Sequence, residues 1–218
     1  MKIRYLGHAC FLVTSANGTK IVFDPYQPGG FDGAIAYGPL TEPADIVVIS
    51  HEHADHNFAA GVPGSPQVIK GAGVHSAALI LFRGIPLKHD SSDGSKRGDN
   101  TVFCADIDGL RLCHLGDLGH ELNPSQGAEI GAVDVLLCPI GGVFTIDAAG
   151  ASQVMRALNP RVTIPMHFKT PKISLSLAPL DDFLQGKKNV HYQRASEMTL
   201  TRETLPQEPQ IIVLDPAL

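Results

Sequence analysis

The segment His51-Glu52-His53-Ala54-Asp55-His56 places three imidazoles and a carboxylate side by side in the chain. It directly follows residues 45–50, whose β-branched side chains predict a strand buried on both faces. Because side chains alternate along an extended chain, His51 and His53 can point together while Asp55 and His56 turn towards a neighbouring position. Imidazole nitrogen and carboxylate oxygen are ligands that suit Zn, Mn, Fe or Ni. The segment therefore predicts two adjacent metal positions at the end of a buried strand.

Composition restricts the class of protein around this segment. The chain has 218 residues, of which 44% are hydrophobic and 18% charged, so we expect one compact domain over residues 1–218. No apolar run approaches the roughly 18 residues of a membrane span, and the N-terminus does not read as a signal peptide. We therefore expect a cytoplasmic protein. The formal charge of -5 and the lack of a long basic run argue against nucleic acid as the main partner.

The four cysteines are scattered without a C-x-x-C pair, which argues against a structural zinc finger. A turn at Asp108-Gly109 would place Cys104 opposite Cys113 on two antiparallel strands. A cross-strand disulfide is then geometrically feasible, but two reduced, buried thiols fit a reducing compartment better.

The order of elements predicts two β-sheets between helices. Three short strands open the chain, a buried strand is expected at residues 133–139, and a further strand is expected at residues 161–166, ending at His167. We predict a helix over residues 74–82, closed by Arg83-Gly84, and another that begins after Asp147 and ends at Asn159-Pro160.

Several motifs together resemble the metallo-β-lactamase superfamily. The chain matches its H-x-H-x-D-H signature in full, and the resemblance extends over nearly the whole chain through Gly7-His8, Asp24-Pro25, His114-Leu115-Gly116-Asp117 and Ile164-Pro165-Met166-His167. These features look like the uncharacterised metal-dependent hydrolase branch related to ascorbate-phosphate lactonase-like proteins. The resemblance implies an α/β fold in four αββα layers, with two mixed β-sheets flanked by helices.

The resemblance also implies a set of ligands for two divalent metal ions, with zinc as the first expectation and Mn, Fe or Ni as alternatives. His51 and His53 would hold the first ion with a third histidine, for which His89 is the best candidate and His75, inside the predicted helix, the rival. The second ion would be held by Asp55, His56 and His167, and Asp117 would bridge the two.

Two metal ions held by a shared carboxylate can share one water, whose pKa falls towards 7. We therefore expect a hydrolase in which Asp55 and Asp117 are catalytic, acting on a small ester, lactone, thioester or phosphoester. The alternatives are a phosphodiesterase or nuclease of the same fold, and a non-catalytic metal-binding sensor module. The chain has no G-x-S-x-G motif that would indicate a serine nucleophile.

Four further residues are candidates near the site. Asp24 is the first choice to orient a metal-ligating imidazole, with a simple turn before Pro25 as the alternative. His8 and His114 are near the site by resemblance, as orienting or core histidines, and Lys169 is a candidate for binding an anionic group of a small-molecule substrate. The loop over residues 90–100 could be a mobile flap or a plain flexible connection. The sequence does not determine the oligomeric state, and a homo-oligomer is one of the options.

Overall fold

The computed structural model describes all 218 residues and contains two mixed β-sheets. The smaller sheet has the strand order β13-β1-β2-β3-β4-β5, with strands β1 (Lys2–Gly7), β2 (Cys10–Thr14), β3 (Lys20–Phe23), β4 (Ile46–Ile49), β5 (Gln67–Lys70) and β13 (Glu197–Thr199). The larger sheet has the order β12-β14-β11-β10-β9-β8-β7-β6, with strands β6 (Gly73–Ala77), β7 (Ile80–Lys88), β8 (Asp99–Ile107), β9 (Leu110–His114), β10 (Val135–Pro139), β11 (Val162–Met166), β12 (Val190–Tyr192) and β14 (Gln210–Val213).

Strand β4 shows how the sheets are buried. Its four residues are all buried, as expected for a continuous β-branched run. Ile46 and Val48 join the large hydrophobic cluster that both sheets share, whereas Val47 and Ile49 join a smaller cluster on the opposite face of the six-stranded sheet. The two-residue alternation of a strand thus packs β4 on both faces.

Helices cover the outer faces unequally. On the larger sheet, α2 (Pro124–Ile130), α3 (Ala148–Leu158) and α4 (Leu180–Leu184) contribute buried residues to the main core. The other side of the molecule is covered by the short turn α1 (Gly30–Gly33), a 3₁₀ turn at Ala59–Gly61 and irregular chain rich in Gly and Pro. The expected metallo-β-lactamase sandwich is confirmed, with one helical layer reduced to turns. None of the helices is long and apolar enough to cross a bilayer.

The predicted helix over residues 74–82 is wrong, because this segment forms the β6–β7 hairpin. Successive side chains of these strands point to opposite faces of the sheet, so Phe82 is buried while Val74 and Leu81 are exposed. The turn residues Ala78 and Leu79 both have positive φ, of 48° and 64°. Such turns normally carry Asn or Gly, so the sequence lacks the usual hairpin signal.

The predicted hairpin between β8 and β9 is confirmed. Asp108 and Gly109 form the turn with φ of 53° and 76°, and Cys104 pairs directly with Cys113 in the register. All four cysteines are buried, unpaired thiols. Helix α2 and strand β12 have no counterpart in the predicted elements, although Asn123 caps α2 through a capping box with Gln126.

The fold brings strand ends together at one edge of the sandwich. Asp24 follows β3, His51 follows β4, His89 follows β7, and His167 follows β11. Because β3 and β4 are parallel, as are β9, β10 and β11, the residues after their carboxyl ends emerge on the same side of their sheets. The polar side chains of both sheets meet there.

Candidate metal centre

The structure brings all seven predicted ligands into one cluster, in which every residue except the exposed His53 is buried. One group consists of His51, His53 and His89, which each offer a nitrogen within 4.8 Å of the others. A second group, within the same limit, consists of His8, Asp55, His56 and His167. His75 lies elsewhere, on β6, where its Nε2 is 3.0 Å from the carbonyl oxygen of Gly71.

Asp117 lies between the two groups. Its Oδ2 is 3.2 Å from His89 Nε2 and 3.3 Å from His167 Nε2. The same carboxylate lies 3.3 Å from His56 Nε2 through Oδ1, and 3.9 Å from His51 Nε2. One carboxylate therefore contacts histidines of both groups.

The chemistry of this cluster fits metal ions. Six of its buried atoms have no hydrogen-bond partner, and three of these face the centre of the cluster or its bridging carboxylate: His51 Nε2, His56 Nε2 and Asp117 Oδ1. An unpaired buried polar group costs about 1–3 kcal/mol, so several of them at one point call for a ligand. Imidazole nitrogens and carboxylate oxygens are donors that divalent transition metals accept.

Asp24 and Ser50 orient two of the imidazoles. Asp24 Oδ2 accepts a hydrogen bond of 2.9 Å from His56 Nδ1, and its Oδ1 accepts 2.7 Å from the backbone N–H of Ser50. The Ser50 hydroxyl donates to Asp24 at 2.6 Å and lies 2.9 Å from His51 Nδ1. A proton on each Nδ1 satisfies these contacts and leaves both Nε2 atoms free for a metal. The predicted orienting role of Asp24 agrees with this geometry.

His8 contacts Asp55 rather than solvent. Its Nε2 lies 3.0 Å from Asp55 Oδ2, and its ring centroid is 4.2 Å from that of His167. His8 is fully buried at the turn between β1 and β2. It therefore fixes the orientation of the Asp55 carboxylate.

His114 and Asn100 hold the turn that carries Asp117. His114 donates from Nε2 to the carbonyl of Ala9 at 2.9 Å and accepts the backbone N–H of Gly116 on Nδ1 at 3.0 Å. Asn100 accepts the backbone N–H of Asp117 at 2.9 Å through Oδ1. Both side chains are buried, so the position of the carboxylate is fixed by the fold.

The histidines of the cluster differ in the direction in which their surroundings shift the pKa. Burial, reinforced by the neighbouring His56, lowers the pKa of His51 to about 3. Burial also lowers the pKa of His8 to about 4, with His167 adding to the effect. Burial opposes charge at His56 as well, but the carboxylates of Asp117 and Asp55 raise its pKa well above the ordinary value. A metal cation binding between these carboxylates would replace the proton on His56.

Backbone strain is concentrated at the same place. His8, Asp24 and His167 have φ of 56°, 44° and 52°, in the left-handed region that residues with a side chain rarely adopt. Such conformations cost on the order of 1–3 kcal/mol each and persist when the surrounding structure fixes them.

A cavity of about 360 Å³ opens onto the cluster. Its lining residues are Phe31, Glu52, His53, Ala54, Asp55, His89, Arg97, Asp117, Phe144, His167 and Leu175. Lys169, predicted as an anion-binding residue, is not among them, and its Nζ donates to the carbonyl of Leu175 at 3.1 Å.

The loop over residues 90–100, expected to be a mobile flap or a flexible connection, is held together by hydrogen bonds to the carboxylate of Asp90. Asp90 accepts the backbone N–H groups of Ser92, Gly94, Lys96 and Arg97 at 2.7–3.1 Å. The loop ends sooner than predicted, because β8 begins at Asp99. Its backbone is therefore held in one shape beside the cavity.

Sequence reasoning missed Ser50 and Asn100 as members of the site. Ser50 could have been found from its position immediately before His51, where a hydroxyl can reach a neighbouring imidazole. Asn100 has no such signal, because its contact with Asp117 depends on the pairing of β8 with β9.

Comparisons with known proteins agree with this fold. The family model described as a β-lactamase superfamily domain matches residues 2–167. The fold and the histidine and aspartate cluster thus define a metal-dependent hydrolase of the metallo-β-lactamase superfamily.

Similar proteins narrow this class. A UPF0173 metal-dependent hydrolase of Carboxydothermus hydrogenoformans is 34% identical over 84% of this chain and 91% of its own length. Another, from Pyrococcus abyssi, is 30% identical over 80% of this chain and 88% of its own length. The chain belongs to this UPF0173 family. The crystal structure of a Thermotoga maritima protein, described as a proposed Zn-dependent hydrolase of the superfamily, is also similar. It matches with a TM-score of 0.79 at 35% identity, over 98% of this chain and 97% of the Thermotoga chain.

Substitution of the two rival histidines distinguishes their roles. We expect His89→Ala to lower bound metal from two ions towards one per chain, because His89 completes the group with His51 and His53. His75→Ala should leave the metal content unchanged, since His75 is a partly exposed residue of β6. Elemental analysis of both purified variants measures this, and the reverse pattern would move the third ligand to His75.

Proposed function

We propose that this protein is a dinuclear metal-dependent hydrolase that cleaves a small ester, lactone, thioester or phosphoester. The observation that carries the proposal is the place of Asp117, whose Oδ2 lies 3.2 Å from a histidine of one group and 3.3 Å from a histidine of the other. A carboxylate shared in this way is suited to bridge two cations, as in two-metal hydrolytic sites.

The residues divide between two ions. His51, His53 and His89 would hold the first, Asp55, His56 and His167 the second, and Asp117 both. We take zinc as the first expectation, with Mn, Fe or Ni as alternatives, because nitrogen and oxygen donors accept all four. Two such ions, when bound, lower the pKa of a water to near 7 and polarise the oxygen of the bond to be cleaved.

The chain itself supplies orientation and charge. Asp24 and Ser50 bind the Nδ1 atoms of His56 and His51 and so direct the Nε2 atoms of both rings inwards. Burial opposes the charge of Asp117, but His167 and His56 hold the pKa of its carboxyl well below the ordinary range, so it remains an anion. No Ser, Thr or Cys lines the cavity, which favours an activated water over a side-chain hydroxyl or thiol as the nucleophile.

Size and charge favour a small molecule over a nucleic acid. The cavity of about 360 Å³ is within the range of small-ligand pockets. Two lysines beside the histidines are already paired, Lys70 with Glu52 at 2.7 Å and Lys88 with Asp99 at 2.8 Å. This pairing and the net charge of -5 are unfavourable for a phosphate backbone. We propose a cytoplasmic location, which suits four unpaired, buried cysteines.

The test is metal content followed by turnover. We expect untagged protein to contain two metal ions per chain and to hydrolyse at least one class in a panel of carboxylic esters, lactones, thioesters and phosphodiesters. A chelator should abolish that turnover, and restoring the metal should recover it. Turnover on phosphodiesters alone would favour the phosphodiesterase alternative. Metal without turnover on any class would favour the sensor module.

A further inference from the structure

Arg97 is the only permanently charged cation that lines the cavity above the metal centre. A guanidinium keeps its charge throughout the physiological pH range and offers five N–H donors. One of them, on Nη2, donates to the carbonyl of Val143 at 3.1 Å. No carboxylate lies within 4.0 Å of this guanidinium, unlike the neighbouring Lys70 and Lys88, which are paired. Arg97 therefore has donors and charge available for a ligand.

The protein holds Arg97 in position. Its guanidinium carbon lies 4.6 Å from the centre of the Phe144 ring, a cation–π contact. Its backbone N–H donates to Asp90 at 2.8 Å, which ties it to the ordered loop. An arginine held in this way loses little conformational entropy when it binds an anion.

The remaining lining of the cavity includes apolar side chains. Phe31, Phe144 and Leu175 all line it, and the Phe31 side chain is 50% exposed. Phe31 also has a positive φ of 52°, a backbone conformation that costs free energy in a residue with a side chain. A ligand that fits this lining has both an apolar part and an oxyanion.

We propose that Arg97 binds a carboxylate or phosphate group of the substrate, so that the enzyme acts on small anionic esters or lactones with an apolar portion. This inference rests on the proposed hydrolase function and adds the chemical class of its substrate. The group bound by Arg97 is separate from the bond that is cleaved at the metal centre.

Binding of matched probes to the metal-loaded protein tests the proposal. Benzoate and phenylphosphonate carry the two kinds of oxyanion on the same ring, and benzamide is their neutral counterpart. By calorimetry, we expect Arg97→Gln to weaken whichever anion the wild type prefers by about 10- to 100-fold, the range for a charged hydrogen bond. Benzamide binding should be unchanged. The difference between the two anions tells a carboxylate from a phosphate site.

Two variants serve as controls. Lys96→Gln removes the same charge from the neighbouring exposed side chain, which does not line the cavity, and should leave all three affinities unchanged. Arg97→Lys retains the charge but not the planar fork, and we expect it to recover part of the affinity. Thermal unfolding midpoints equal to that of the wild type confirm that the substitutions have not unfolded the loop over residues 90–100.

Kinetics separate this inference from the proposed function. Arg97→Gln should raise KM for mono-4-nitrophenyl succinate about 10-fold or more and change that for neutral 4-nitrophenyl acetate less than about twofold. Equal anion binding in wild type and Arg97→Gln, or no anion binding in the wild type, overturns the role of Arg97 even if ester turnover persists. Arg97-dependent anion binding without turnover on any class of the panel supports the anion-binding site and overturns the proposed hydrolytic function.

Discussion

Asp117→Asn should reduce turnover by about 1,000-fold or more while the protein remains folded. Asp117 is the one carboxylate that contacts histidines of both groups, and the pKa of its carboxyl is held well below the ordinary range by His167 and His56 against the effect of burial. A neutral amide at this position cannot balance the charge of two cations. We therefore expect bound metal to fall from two ions towards one.

Three measurements on one preparation check this expectation: elemental metal content, kcat on the substrate found in the panel, and the thermal unfolding midpoint. Asp182→Asn provides the matched control, because Asp182 is an exposed residue of α4 whose side chain makes no hydrogen bond. It should match the wild type in all three. If Asp117→Asn retains two ions and more than a tenth of wild-type turnover, Asp117 is not the shared ligand.

The sequence predicts the part of the site that is local in the chain. His51, His53, Asp55 and His56 are adjacent, follow one buried strand and carry ligand chemistry, so their grouping can be derived without a structure. His89, Asp117 and His167 are implied as ligands by the resemblance, and Asp24 is expected to orient an imidazole. The fold brings all four to the same edge because each follows a strand end.

Other parts depend on tertiary packing. The β6–β7 hairpin turns through Ala78 and Leu79, which give no turn signal, so an apolar segment of helical length resembled a helix. The environment of Arg97 depends on Phe144 and Val143, which come from a loop about 46 residues further along the chain. Sequence spacing does not report such contacts, and so the cavity lining and the side chain best placed to bind an anion emerge only from the fold.

Gly119→Ala should disrupt the site without altering any ligand. A Cβ at this position would lie 2.2 Å from both the carbonyl carbon and the oxygen of His89. These are backbone atoms, so no rotamer change relieves the overlap. Gly119 also donates its N–H to the carbonyl of Lys88 at 3.0 Å, which joins the chain after Asp117 to the chain before His89. The methyl group must therefore push these two predicted ligands apart.

We expect Gly119→Ala to lower the free energy of unfolding by about 3 kcal/mol and to bind fewer than two metal ions per chain. Gly127→Ala is the control, since a Cβ there meets nothing within 4 Å and the residue lies within helix α2. It should be neutral or raise stability by up to about 1 kcal/mol. Denaturant unfolding of the metal-free proteins separates lost packing from lost metal. Wild-type stability together with two bound ions in Gly119→Ala would show that the spacing of Asp117 and His89 does not depend on this close approach.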